Sequence, residues 1–429
     1  MKVKLLSALN DSNLDAAQLT SQRQLGISIS AIAAEFDQNL PLNLCLILDK
    51  SGSMSGQPIK TVIQAVEALL DQLQPGDRLS VVAFASAAEV ILPNQVIEDT
   101  QAIKSQIRNK LHADGGTVIA EGLQLGITEL LKGTKGTVSQ AFLLTDGHGD
   151  NGLRIWKWEI TPDDNKRCLE LAYRATRVNL TINTLGFGNG WNQDLLEKIA
   201  DVGGGSLAHI EHPEQAVEQF SRLFTRIQSV GLTNAYLLVS LAPNVRLAEL
   251  KPIAQVSPDT IELPVQPEAD GSFVVRLGDL MQDVKRVVLA NIYIGKLPEG
   301  EQVIAHLQIR YDDPAKNQQG LLSEMFTVLV NVVKTYQPLM DAEVQHSILT
   351  LAKYRQTQLA EVKLLQGDCT GAATMLQTAA KTALQIGDTK AATVLQTSAT
   401  RLQAGEELSE SDLKKTRIVS KTVLQDSSS

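Results

Sequence analysis

Between residues 40 and 230, apolar runs of strand length alternate with stretches whose apolar residues recur every three or four positions. Leu42-Asn43-Leu44-Cys45-Leu46-Ile47-Leu48 reads as a buried strand. Ile59, Val62, Ile63, Val66, Leu69, Leu70 and Leu73 then form one stripe of a helix over residues 57–73. Pro75-Gly76-Asp77 is a turn, followed by a strand over 78–84. The same reading gives helices over 102–111, 118–131, 163–178, 194–202 and 213–230, with strands over 140–145 and 181–187. Strands alternating with helices imply an α/β, Rossmann-like unit, a mostly parallel sheet with helices on both faces. Such sheets bind ligands outside the carboxyl ends of their strands.

The flanks have other periods. In residues 1–38, Leu25, Ile27, Ile29 and Ala31 alternate onto one face. Residues 231–336 carry short alternating strands broken by Pro/Gly turns, a β-sandwich pattern. We expect the amino-terminal strands of 1–38 to join that sandwich, so that the α/β unit of 39–230 is inserted in it. Residues 337–404 are helical and contain an echo, Ala372-Ala373-Thr374-Met375-Leu376-Gln377-Thr378 against Ala391-Ala392-Thr393-Val394-Leu395-Gln396-Thr397. Each copy follows Gly-Asp, where Gly ends one helix and Asp caps the next. This hairpin fits either a small bundle docked on the sandwich or a peptide-binding groove. Residues 405–429 read as a polar tail that frays.

Composition narrows the classes. The chain has 429 residues, enough for two or three domains, with 43% hydrophobic and 20% charged residues. Net charge is −9 and no Lys/Arg-rich run occurs, so no nucleic-acid ligand is expected. Cys45, Cys168 and Cys369 are widely spaced and odd in number, the usage of a reducing compartment. The basic start is cut short by Asn10-Asp11-Ser12-Asn13, too soon for a signal peptide, and no apolar run is long enough for a transmembrane segment. The expected location is cytoplasmic.

Three separated segments carry candidate chemistry. The first strand ends in Asp49-Lys50-Ser51-Gly52-Ser53; Thr117 follows Gly115-Gly116; Asp146 follows the strand ending Leu143-Leu144-Thr145. All are hard oxygen donors, suited to Mg²⁺ or Mn²⁺, and all fall on loops at the carboxyl ends of strands. Taken singly, Asp49 and Ser51 fit equally well as helix caps. Together the segments resemble the metal-ion-dependent adhesion site of the von Willebrand factor A (VWA) family. The whole layout resembles bacterial VWA proteins labelled calcium-activated chloride channel-like and the heavy chains of inter-α-trypsin inhibitor. The resemblance implies metal ligation by Asp49, Ser51, Ser53, Thr117 and Asp146. Mg²⁺ is the expected ion, with Mn²⁺ or Ca²⁺ as alternatives, and one coordination position is left for an Asp or Glu of a protein partner. Bacterial relatives that work with AAA+ ATPases make such a partner one candidate.

Other motifs carry less. Gly147-His148-Gly149-Asp150-Asn151-Gly152 matches G-x-G-x-x-G, but no helix opens there as a dinucleotide site requires. His148 and Asp150 are solvated loop residues or secondary ligands, and His209 and His212 lack metal-ligand companions. Trp156, Trp158 and Trp191 all follow strands on the expected metal face, in a chain with only 4% aromatic residues. The three form an apolar partner rim, or else Trp156 and Trp158 pack a lid onto the sheet. The leading function is a non-enzymatic, metal-dependent protein–protein interaction module. The alternatives are a Mg²⁺-dependent hydrolase, which needs a base beside the metal, and a scaffold with an idle ion.

Overall fold

A computed structural model describes residues 2–32, 40–134, 136–147, 162–188, 190–282 and 284–421. The apolar runs of the α/β unit form one six-stranded sheet. Its order is Ala88–Val96, Arg78–Phe84, Leu42–Asp49, Val138–Thr145, Leu180–Phe187, Gly204–Ile210. All neighbours are parallel except the edge strand Ala88–Val96. Because successive side chains point to opposite faces, Leu44, Leu46 and Leu48 enter one core and Cys45 and Ile47 the other. Helices α1 (Gln57–Leu70), α2 (Thr100–Lys110) and α6 (Ala216–Gln228) cover the first face; α3 (Ile119–Leu130), α4 (Pro162–Arg177) and α5 (Gln193–Gly203) cover the second.

The sandwich closes around this unit. Thr20–Ile32 pairs with Lys2–Leu9 on one side and with Arg286–Gly295 on the other. The facing sheet runs Val265–Pro267, Phe273–Met281, Val230–Leu241, Gly300–Asp313, Phe326–Val333, Asn13–Asp15. Leu25, Ile27 and Ile29 lie with Leu237, Leu307 and Ile309 in one core. The chain thus leaves the sandwich after Ile32 and re-enters it at Val230, with the α/β unit between. The two bodies meet at the amino edge of the parallel sheet. There Asp279 Oδ2 accepts hydrogen bonds from Gln140 Nε2 (2.7 Å) and Thr181 Oγ1 (2.9 Å). Burial pushes the Asp279 carboxyl up, against the pull of Thr181 and of Arg276 and Arg286.

Four helices follow in the described residues: α7 (Ala342–Leu365), α8 (Cys369–Gln385), α9 (Thr389–Gln403) and α10 (Glu410–Lys421). Asp341, Asp368 and Asp388 cap the first three, each accepting from a backbone N–H three residues on. Val344, Leu351 and Tyr354 of α7 pack on Ala254, Val256 and Leu289 of the sandwich, so the helices dock there. The polar segment after residue 405 departs from expectation. It folds as α10, opened by a reciprocal pair in which Asp412 N donates to Ser409 Oγ (3.2 Å) and Ser409 N to Asp412 Oδ2 (3.1 Å). Ser-x-x-Asp is a capping-box spacing, and α10 buries Lys414, Thr416, Ser420 and Lys421 rather than an apolar stripe. Its composition therefore concealed a docked helix. Residues 422–429 of the expected tail lie outside the described part.

Candidate metal centre

The sheet order reverses between Leu42–Asp49 and Val138–Thr145: from the first strand the chain turns one way to Arg78–Phe84, then crosses to the other side for Val138–Thr145. A crevice at the carboxyl ends of such a switch point is the natural ligand site of an open α/β sheet. Asp49 ends one of these strands and Asp146 follows the other. Asp49 is fully buried and Asp146 is 4% exposed.

Hydrogen bonds connect four of the five expected ligands in a row. Ser51 N donates to Asp49 Oδ1 (2.7 Å), curling the loop back on its own aspartate. The Ser51 and Ser53 hydroxyls lie 3.0 Å apart, and Ser53 Oγ donates to Asp146 Oδ1 at 2.8 Å. The short turn Gly52–Met54 aims both serines the same way, and Met54 anchors it in the core. Thr117 is half-buried and joins through its backbone neighbours rather than by a hydrogen bond to the other four. Gly52 N donates to Gly115 O (2.9 Å), Asp114 N to Lys50 O (2.7 Å), and Val118 N to Ala85 O (2.9 Å). Gly115 has φ +84°, and a Cβ there would lie 2.9 Å from Ser86 Oγ, so this loop needs glycine on both counts.

Burial pushes the Asp49 carboxyl up to about 6, against donors on Ser51 and Thr145, and the like charge of Asp146 adds to the rise. Two aspartates sunk side by side with two hydroxyls make a set of hard oxygens whose charge a divalent cation offsets, so the residues present fit such an ion. Among the described residues no group of three or more His, Cys, Asp and Glu is assembled, so the donor set rests on hydroxyls as much as on carboxylates.

Thr145, absent from the expected ligands, donates to Asp49 Oδ2 and accepts from Gly147 N (2.8 Å). Its signal was present: a hydroxyl closing an otherwise apolar buried run, in the row beside Asp49. Trp191 is a correction to the expected rim, being 2% exposed. Its ring lies over Gly186, where a Cβ would sit 2.2 Å from Trp191 Cε2, and its Nε1–H donates to Gly188 O (3.0 Å). A side chain missing from a strand thus created the slot that took the indole out of solvent. His209 is half-buried, with Nε2 2.8 Å from Gly188 O and its ring 5.3 Å from that of Trp191; burial holds its pKa low. Trp156, Trp158, His148 and Asp150 lie outside the described residues.

Comparison with known proteins agrees with this architecture. The von Willebrand factor type A domain model matches residues 43–222, and that of the Sll0103-like, C-terminal alpha-helical domain matches residues 342–426. Protein sll0103 of Synechocystis sp. is 54% identical over 425 residues, which span 99% of this chain and 98% of the relative. Inter-alpha-trypsin inhibitor heavy chain H4 of Bos taurus is 25% identical over 221 residues, half of this chain and 23% of that larger protein. The solved structure of a von Willebrand factor type A protein from Catenulispora acidiphila covers 98% of this chain and 97% of its own with a TM-score of 0.79; at 18% identity it speaks for the fold alone. No helix among the described residues is long and apolar enough to cross a membrane. The chain belongs to the VWA family, whose members commonly mediate protein–protein interaction, and within it to the group that carries an Sll0103-like helical domain.

Proposed function

We propose that this protein binds a protein partner through a divalent cation, Mg²⁺ by preference over Mn²⁺ or Ca²⁺, held by Asp49, Ser51, Ser53, Thr117 and Asp146. The observation that carries the reading is the hydrogen-bonded row Asp49–Ser51–Ser53–Asp146, sunk at the switch point of the sheet. Oxygens so placed point at one small volume and are fixed beforehand, so little ordering entropy is lost when they close on an ion. A bound cation would supply a Lewis-acidic position for a carboxylate of the partner. The protein's part is to hold the donors, through Thr145 and the Gly115 backbone, at the end of the sheet opposite the sandwich. The reading is of a binding module rather than an enzyme. The three free cysteines, two of them buried, favour the cytoplasm.

The test is affinity capture from native lysate with Mg²⁺ or EDTA, beside the Asp49→Ala variant. A protein, for example an AAA+ ATPase, that is held by wild type in Mg²⁺ and released by EDTA and by the variant supports metal-bridged adhesion. Partners indifferent to both refute it.

A further inference from the structure

Helix α10 is held against the VWA domain in an unusual way. Its fully buried residues are polar; Val419 packs on the α7–α9 core and the Ser398 and Thr416 hydroxyls lie 3.1 Å apart, while its side-chain contacts to α5 are ionic. Arg417 Nε lies 2.6 Å from Glu197 Oε2, and its Nη1 pairs with Asp194 and lies 3.7 Å from Glu361 Oε2. Lys421 Nζ lies 3.0 Å from Glu197 Oε1 and 2.6 Å from Asp201 Oδ1. Lys415 Nζ lies 2.7 Å from Glu211 Oε1. Asp194, Glu197 and Asp201 belong to α5, and Glu361 to α7. Two cations of α10 thus meet four carboxylates, which repel one another when the helix leaves. Buried ion pairs are screened little by salt, but each ion carries a desolvation cost on docking, so the net hold of such a joint is modest.

The other end of α10 reaches toward the metal centre. Lys414 Nζ stands 5.0 Å from the Trp191 ring centroid, over its face. Trp191 in turn backs the loop that follows Asp146: a Cβ on Gly147 would lie 3.2 Å from Trp191 Cα and Cβ. Gly147 N donates to Thr145 Oγ1, which donates to Asp49. A continuous row of packed groups therefore runs from α10 through Trp191 to both aspartates of the site.

We propose that α10 is a detachable strap, and that Lys414 and Trp191 are positioning residues through which its docking sets the Asp146 loop for the cation. The inference rests on the metal-bridge reading. Docking and metal affinity are then linked and reciprocal: whatever frees the strap weakens the site, and a filled site tightens the strap. A partner that takes α10 from α5, by offering carboxylates of its own to Arg417 and Lys421, would thereby loosen the ion.

The experiment uses full-length wild type, Arg417→Glu, Lys414→Met and Asp49→Ala. Mn²⁺ affinity is read by electron paramagnetic resonance, and strap docking by amide hydrogen exchange over residues 410–421. Arg417→Glu places a fifth carboxylate among four and sits in the last helix of the described chain, away from both sheet cores. The expectation is faster exchange over 410–421 with Mn²⁺ affinity about tenfold weaker, within the usual range of coupling. Lys414→Met should weaken Mn²⁺ less while leaving exchange near Lys421 unchanged. Saturating Mg²⁺ should slow exchange over 410–421 in wild type and not in Asp49→Ala. Wild type that fails to bind Mn²⁺ overturns the metal reading and the linkage with it. Wild type that binds, beside an Arg417→Glu variant with a freed strap and unchanged affinity, overturns the linkage alone. Unchanged exchange in Arg417→Glu overturns the ionic strap.

Discussion

Replacing Gly186 by alanine tests how tightly the indole of Trp191 is seated. The added Cβ would lie 2.2, 2.3 and 2.7 Å from three ring atoms. Carbon–carbon contact needs about 3.5 Å, so the ring must withdraw by roughly 1.3 Å. It has little room: it is 2% exposed, bonded to Gly188 O and flanked by His209. Overpacking of this kind costs ~1–3 kcal/mol, and a ring pinned on three sides puts the figure near about 3 kcal/mol. Trp191→Phe alone leaves space under the strand and should cost ~2 kcal/mol, less than full truncation of a buried aromatic. Together the two changes relieve each other, since the smaller ring leaves room for the methyl, and the double variant should fall short of the sum by at least ~1 kcal/mol. Urea unfolding followed by circular dichroism on the four proteins reads this out. Additive losses, or an unperturbed Gly186→Ala, would refute the packing argument. Because Gly186 pairs in register with Thr145, the same substitution should also weaken Mn²⁺ binding.

Three further outcomes follow from described contacts. Asp49→Ala should abolish the Mg²⁺-induced rise in melting temperature, about 2.7 kcal/mol of stabilisation at a hundredfold excess over Kd, and leave the helical domain folded by hydrogen exchange. Asp388→Ala should cost ~3–5 kcal/mol in urea unfolding, because Lys353, 1% exposed, loses the carboxylate 2.7 Å away and α9 loses its cap; Asp368→Ala, at the exposed equivalent, should cost clearly less. The third outcome concerns pH. Burial pushes Glu361 up to about 7 in the fold, Glu197 and Asp194 add to the rise, and Arg417 opposes it, with Asp201, Lys421 and Tyr354 in the same cluster. A carboxyl with a raised folded pKa binds its proton more tightly when folded, so its contribution declines as pH climbs from about 4 toward 7. Glu361→Gln should therefore flatten the stability profile across that window, with melting curves from pH 4.5 to 8 as the measurement; an unchanged slope would contradict it.

The elements of the VWA domain were legible because each buried strand is a nearly unbroken apolar run and each helix carries its own stripe and stop signal. The two edge strands escaped because neither has such a run: Ala88–Val96 exposes Glu89, Pro93 and Gln95, and Gly204–Ile210 fully buries only Ser206 and Ile210. The gathering of Asp49, Ser51, Ser53 and Asp146 could be read because the first three are close in sequence and Asp146 follows a strand whose place in the sheet follows from the pattern. Thr145, Trp191 and α10 were obscured for a common reason: their roles depend on what lies across the fold. Thr145 acts through a neighbouring strand, Trp191 through a missing side chain at Gly186, and α10 through carboxylates more than two hundred residues earlier in the chain.

The split sandwich has a consequence for biosynthesis. Its central pairing joins Thr20–Ile32 to Arg286–Gly295, so during synthesis Thr20–Ile32 waits for more than two hundred and fifty residues before its partner strand exists. In that interval Thr20–Ile32 presents an open hydrogen-bonding edge, a template for wrong pairing. The inserted domain shortens the wait in space though not in time. Its sheet needs only its own residues, and once folded its first strand begins at the same edge to which α6 returns, bringing the severed halves of the sandwich together. The entropic cost of closing a long loop is thereby met by a folding event already complete. A nascent chain stalled inside the VWA domain is accordingly the species most exposed to aggregation and most in need of a chaperone.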